Sequence, residues 1–295
     1  MASVVEWVEG ARPRTLPAAV APVIAGLGVT GYTGTALSGS VVALNAGLAL
    51  LVSLALQVGV NYFNDYSDGV RGTDKVRVGP VRLVGQGLAP ARQVRHAAVL
   101  SLVAAALFGA VLVLVSREWV LLPVGAAAVL AAYGYTGGSR PYGYYGLGEV
   151  FVFIFFGPVA VCGTTLVTGG GLWPISVLTS VAIGLLTVAI LVANNLRDRP
   201  LDAEAGKHTL AVRLGERNTR LFYAGCQIAA LALIAGIALG STLWALLGLV
   251  GGLPALAAAR KVLQGAAGPA LIPVLQLTSL ALLLAGLGLG LGFVL

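Results

Sequence analysis

Long apolar blocks separated by short polar stretches run along the whole chain. Read for runs of the length a hydrocarbon layer demands, the pattern predicts helices over 14–32, 41–63, 93–115, 119–135, 147–168, 174–196, 217–239, 241–259 and 270–294. The fourth and eighth are the shortest. The expectation is an all-α membrane protein with nine transmembrane helices in one polytopic domain over 1–295. No polar segment is long enough to form a separate soluble unit. Spans one to four match five to eight in layout, each set carrying an acidic run after its second helix. That layout points to a parallel internal repeat followed by a ninth span.

Composition agrees with this pattern. Hydrophobic residues make up 58% of the chain and charged residues 10%, with mean hydropathy +0.94, which excludes an ordinary soluble globular protein. The opening stretch carries Glu6, Trp7 and Glu9 and lacks the basic region and cleavage site of a secretory signal. Cys162 and Cys226 fall inside predicted spans and read as inert buried thiols. His96 and His208 are too few and too far apart for a histidine metal site.

The net charge of +7 would suit a nucleic-acid partner, but the placement of the basic residues argues for a membrane and no nucleic acid. In the nine-span arrangement seventeen of the eighteen Lys and Arg residues share one face, with only Arg117 opposite. The positive-inside rule makes that face cytoplasmic. The N-terminus then lies inside the cell membrane and the C-terminus outside.

Two acidic runs interrupt the hydrocarbon. The first is Asn64-Asp65-Tyr66-Ser67-Asp68, continuing to Asp74; the second is Asn194-Asn195-Leu196-Arg197-Asp198, ending at Asp202. Both follow helices that end on the cytoplasmic face, so they can meet there. If the second helix continues past 63, Asn61, Asn64, Asp65 and Asp68 share a face, as do Asn194 and Asp198 on the sixth. Pro200 disfavours helix just before it, which places Asp202 on the following loop. Ionisable groups at a membrane edge are candidate functional sites. Two faces of carboxylate and amide oxygens suit Mg²⁺. The plain alternative, caps and loop residues on wet helix ends, is weakened by two copies on the same side.

Five facing carboxylates would repel an anionic substrate unless divalent cations reverse the sign and bridge to phosphate oxygens. Arg71, Lys75, Arg77, Arg140, Arg197 and Lys207 stand near enough in sequence to neutralise the remainder. A diphosphate fits, and the surrounding bilayer makes its other end a lipid. Arg12, Arg92, Arg95, Arg213, Arg217, Arg220, Arg260 and Lys261 read as topology determinants facing lipid phosphates. Arg82 is open between the two roles.

The pattern NDYxDxxxGxD over Asn64–Asp74, followed by Gly79-Pro80-Val81-Arg82 and Gly87, resembles the UbiA superfamily of intramembrane prenyltransferases, in particular its menaquinone branch. Ala11–Pro17, Tyr135–Tyr144 with Gly146–Glu149, and Asn194–Asp198 with Asp202, Gly206-Lys207 and Thr209-Leu210 are similar to the same branch. Gly72 stands where ubiquinone-pathway relatives are expected to carry Asp, which argues against a 4-hydroxybenzoate acceptor. The resemblance implies a helical bundle around a central cavity open sideways to lipid. It implies two Mg²⁺ ions held by Asp65, Asp68, Asp198 and Asp202 with Asn64, Asn194 and Asp74, and Tyr135 and Arg140 on the diphosphate, with Lys207 a further charge. The reaction implied transfers a polyprenyl group from polyprenyl diphosphate to 1,4-dihydroxy-2-naphthoate, releasing diphosphate and CO₂ and giving demethylmenaquinol. Asn61, Tyr62, Tyr66 and Tyr133 are candidates for the substrate pocket; the rings of Tyr62, Phe63, Tyr66 and Tyr133 suit stabilisation of an allylic cation, with packing or interfacial anchoring the stronger reading for most of them. Competing readings are another aromatic acid acceptor, such as homogentisate, or a cation-coupled transporter with acidic residues at the bilayer midplane.

Overall fold

The computed structural model describes residues 2–35, 37–72, 81–138 and 140–295. Among them the chain is all-helical. A short helix α1 (Val4–Gly10) is followed by α2 (Pro17–Thr33), α3 (Gly39–Arg71), α4 (Ala91–Ser116) and α5 (Leu121–Gly134). Then come α6 (Gly148–Gly169), α7 (Pro174–Glu204), α8 (Leu210–Gly240), α9 (Leu243–Leu263) and α10 (Gly268–Val294).

Each of the nine predicted stretches is helical, but the count of membrane crossings is lower by length and composition. Among the described residues seven helices are long and apolar enough to cross a bilayer, and eight if α1 and α2, bent by 49°, form one broken span. At 14 residues α5 reaches roughly 21 Å, short of the ~30 Å hydrocarbon layer. The protein is an integral membrane helical bundle of at least this size.

Helices α7 and α10 are its centre. α7 packs on α6 and α8, while α10 packs on α2 and α9, and α3 and α4 form an antiparallel pair. Bare backbone makes the closest crossing possible: a Cβ at Gly28 on α2 would lie 2.5 Å from the Cα of Gly290 on α10, the small-residue contact that membrane helices use in place of a hydrophobic driving force. A Gly290→Leu substitution forces the pair apart. We expect it to lower the melting temperature of the detergent-solubilised protein by the equivalent of several kcal/mol, measured by tryptophan fluorescence; an unchanged melt would contradict the crossing.

Polar groups inside the bundle are satisfied across helices. The hydroxyls of Tyr223 on α8 and Thr278 on α10 lie 2.6 Å apart, and Gln227 donates to Tyr223 at 3.1 Å. Arg220, expected to face lipid phosphates, instead is buried. It donates to the carbonyl oxygen of Ala266 at 2.8 Å, to that of Val262, and to Glu216. A guanidinium at the C-terminus of α9 meets its last carbonyls and the negative end of the helix dipole.

Two elements differ from expectation at the end that matters. α3 continues to Arg71 and therefore carries the whole first acidic run as far as Asp68. α7 continues through Pro200 to Glu204, so Asp202 is on the helix and buried, not on a loop. Proline removes one backbone hydrogen bond and crowds the preceding turn, but here the tertiary packing of a largely buried helix outweighs that local preference. After α7 the chain reverses at Gly206, whose φ of 70° is the left-handed geometry that glycine adopts without a Cβ penalty. That reversal turns Lys207 back toward the helix end it has just left.

Candidate active site

The two acidic runs converge. Lys207 Nζ lies 2.5 Å from Asp68 Oδ1 on α3 and 4.0 Å from Asp202 Oδ1 on α7, and all three side chains are buried. Residues 134 apart in the chain therefore both approach Lys207 as a counter-charge. Tyr144 completes the group. Its hydroxyl donates to Asp68 Oδ1 at 3.3 Å, and its ring lies 4.8 Å from Lys207 Nζ and 4.9 Å from the Arg71 guanidinium carbon on the ring-centroid measure. The chain from 140 to 148 is anchored by stacking of Tyr142 on Phe151, 4.0 Å between centroids. Burial raises the Tyr142 phenol above its ordinary range, so it stays a neutral ring.

These groups open into a cavity of about 50 Å³. Asn64, Asp68, Asn194, Asp202, Tyr135 and Lys207, all expected at the site, line it. So do Arg82, open between two roles on sequence alone, and Arg12, Thr136, Tyr144, Asn195 and Thr209, to which the sequence assigns no site role. Arg12 had been set among the topology determinants. The structure places it in the wall, with φ 55° and ψ 67°, a left-handed conformation uncommon for any residue other than glycine and clustered at functional sites. The available signal was its place in the motif segment Ala11–Pro17, immediately before Pro13; counting loop charges hid it.

Other expected residues stand behind the wall. Asp65 accepts from the backbone N–H groups of Leu83 at 2.7 Å and Val84 at 3.1 Å. It holds the turn that carries Arg82 and does not line the cavity. Asp198 is held by its neighbour Arg197, whose Nε and Nη2 each donate at 2.7 Å, and the same guanidinium donates to Asn194 Oδ1 at 2.8 Å. Arg197 is thus an internal counter-ion and not a cavity residue. Arg140 is exposed and outside the cavity lining. Arg71 donates to the carbonyl oxygens of Thr136 and Gly138 and lines a neighbouring cavity together with Tyr66 and Tyr133. Asn61 donates to Ala11 O and Thr15 Oγ1, and Tyr62 donates to Trp7 O; both fix the N-terminal segment instead of lining a pocket. Asp74, Lys75 and Arg77 lie outside the described residues.

The donor set suits a hard divalent cation. No three His, Cys, Asp or Glu side chains among the described residues gather as a ready-made metal group. Mg²⁺ does not need one, since it is usually held by one or two carboxylates and completed by water and substrate phosphates. Asp68 and Asp202 supply the carboxylates. Asn64 Oδ1 is buried in the wall without a hydrogen-bond partner, an acceptor left available for a cation.

A helical bundle with this polar, acid-and-base cavity at one end defines a class of membrane enzyme sites. The model of the UbiA prenyltransferase family matches residues 19–280. The chain belongs to that family. It is 52% identical over 283 residues, 96% of this chain and 94% of the relative, to 1,4-dihydroxy-2-naphthoate octaprenyltransferase of Mycobacterium tuberculosis. It is 37% identical to the Escherichia coli protein of that name, covering 95% and 92% of the two chains. Among solved structures, a UbiA homolog from Archaeoglobus fulgidus bound to GPP and Mg²⁺ superposes with TM-score 0.67 at 15% identity, covering 98% and 99%. The apo UbiA homolog from Aeropyrum pernix gives 0.70 at 17%, covering 93% and 96%. At those identities the likeness is one of fold.

Proposed function

We propose that the protein is a Mg²⁺-dependent 1,4-dihydroxy-2-naphthoate polyprenyltransferase. The observation that carries this reading is the meeting of Asp68 and Asp202 around Lys207, taken with the relatives that are named for that reaction over nearly their whole length. Asp68, Asp202 and the free Asn64 oxygen would hold the metal, with Asn195 beside them. Asp198, one turn from Asp202, and Asp65, behind Arg82, support the wall. When bound, the divalent cation supplies positive charge to the diphosphate leaving group.

The side chains divide the remaining work. Arg12, Arg82 and Lys207 present cations to the diphosphate oxygens, and the Tyr135 and Thr209 hydroxyls offer hydrogen bonds beside them. The C1–O bond of the prenyl donor breaks with its electron pair leaving on diphosphate, which creates an allylic cation. Closure of the site around both substrates would protect that cation from water. The electron-rich hydroxynaphthoate ring forms the new C–C bond, and the pair of the ring–carboxylate bond restores aromaticity as CO₂ departs. The bond that forms and the bond that breaks are at the same ring carbon, the one carrying the carboxylate, so no ring proton is lost and no base is consumed.

We place the site on the cytoplasmic side, following the positive-inside distribution of the basic residues. Nine crossings, with α1–α2 and the short α5 each counted as one, would put the N-terminus inside and the C-terminus outside. The decisive test incubates purified protein with 1,4-dihydroxy-2-naphthoate and a series of polyprenyl diphosphates, with and without Mg²⁺, and weighs the products. We expect the decarboxylated prenyl adduct and its loss under chelation. Metal-independent product would remove the cation from the reading, and no adduct with any donor would end it.

A further inference from the structure

One carboxyl group stands a residue behind the acidic cavity. Glu149, in the first turn of α6, is buried and is not among the residues that line the cavity. Its Oε1 accepts a hydrogen bond from Asn195 Nδ2 on α7 at 2.9 Å. Its Oε2 is buried without a hydrogen-bond partner among the described residues. The glycine before it makes the approach possible: a Cβ at Gly148 would lie 3.2 Å from both Leu191 on α7 and the ring of Tyr135. A carboxyl oxygen sealed inside a membrane bundle with no donor is costly. Packing alone would be served as well by an apolar side chain of similar size. A buried group of this kind calls for a role.

Asn195 itself lines the acidic cavity, and the second acidic run offers two amides with different commitments. Asn194 has both ends engaged: its Oδ1 accepts from Arg197 at 2.8 Å and its Nδ2 donates to Asp198 Oδ2 at 3.4 Å. Asn195 gives its Nδ2 to Glu149, a residue outside the cavity wall. A carboxylate accepts and does not donate, so it holds the NH₂ edge of the amide and leaves the oxygen edge for the cavity. Asn64 Oδ1 is the other buried acceptor there, beside the carboxylates of Asp68 and Asp202. We propose that Glu149 is a positioning residue of the prenyl-transfer site: it locks the Asn195 amide so that the carbonyl oxygen, not the NH₂ group, is offered to a divalent cation. The proposal rests on the function argued above and adds the group that orients the site from behind. Without the Glu149 acceptor the amide can turn over and present a donor where an acceptor is needed. Mg²⁺ tolerates little departure from its preferred oxygen geometry, and groups behind a metal's ligands commonly set the orientation of those ligands.

The test uses the full chain in phosphatidylcholine nanodiscs, with farnesyl S-thiolodiphosphate as a donor analogue that resists cleavage. One readout is the Mg²⁺ concentration that gives half of the rise in melting temperature, followed by tryptophan fluorescence. The other is the Mg²⁺ concentration for half-maximal turnover with a polyprenyl diphosphate. Glu149→Met is expected to raise both about tenfold and to leave the acceptor KM unmoved. Glu149→Gln keeps an oxygen for Asn195 Nδ2 and should stay within about threefold of wild type. Asn195→Ala should match Glu149→Met, and the double variant should be no worse than either single one, the mark of two residues acting through one contact. A Mg²⁺ requirement unchanged in Glu149→Met, whatever its melt in chelator, would overturn the proposal and leave Glu149 a packing residue. So would a Glu149→Gln variant as impaired as Glu149→Met, because charge and not the hydrogen bond would then be at work, and so would additive losses in the double variant. Asn195→Ala decides even where Glu149→Met fails to fold: a wild-type Mg²⁺ requirement there takes the amide out of the site and the proposal with it. Wild-type protein whose melt and turnover both ignore Mg²⁺ would defeat the metal of the proposed function itself, a result distinct from a normal wild-type response that no Glu149 variant shifts.

Discussion

Asp68→Asn is expected to lower prenyl transfer by roughly three orders of magnitude, with a rise in the Mg²⁺ concentration needed for half-maximal rate. The substitution keeps volume while removing the negative charge and one acceptor edge. Asp68 Oδ1 receives both Lys207 and Tyr144 and borders the cavity with Asn64 and Asp202. A neutral amide there removes one of the two carboxylates that line the cavity among the described residues and turns an acceptor edge into a donor facing an ammonium. Steady-state kinetics on protein shown to be folded by its melting curve decide the matter. A loss smaller than tenfold would mean that Asp68 does not bear the metal–diphosphate charge.

Lys207→Met should produce the second large effect, and it has two readouts. Removing the ammonium takes away a counter-charge that Asp68 and Asp202 share in a buried setting. Deleting one partner of a buried ion pair costs on the order of 3 kcal/mol, so the variant should melt well below wild type in the presence of chelator. Added Mg²⁺ should restore part of that difference, since a divalent cation can balance the same two carboxylates and stabilises the folded state by binding it. Turnover should still fall about a hundredfold, because the diphosphate loses a direct cationic partner. Equal melting of variant and wild type in chelator would show that Lys207 is not the balancing charge.

The same cavity shows why neighbouring carboxylates in one motif divide their labour. Asp65 and Asp68 lie less than one turn apart on α3, yet Asp65 faces the turn at Leu83–Val84 while Asp68 faces the cavity. The motif read as a string makes them equivalent. A helix rotated by a few tens of degrees would exchange them, and that rotation is set by packing of α3 on α4 and by the contacts Asn61 and Tyr62 make to the N-terminal segment.

Much was determined by the sequence alone. Apolar blocks of bilayer length leave the backbone no alternative to helices, and amide and acid residues at i, i+3 and i+4 must share a side of whichever helix carries them. The meeting of the two acidic helix ends was legible for that reason, as was the family, whose motif residues recur at fixed spacing. Tertiary structure alone decided the rest. Pro200 signals a helix end in any local reading, but burial along α7 carries the helix past it and brings Asp202 inside. Arg12, Arg95 and Arg220 look alike in a count of loop charges; the fold sends one into the acidic cavity, one to an aromatic cavity and one to the end of α9. Local propensity acts over a few residues, whereas the direction a long cationic side chain takes depends on which cavities and carbonyls the assembled helices leave within its reach.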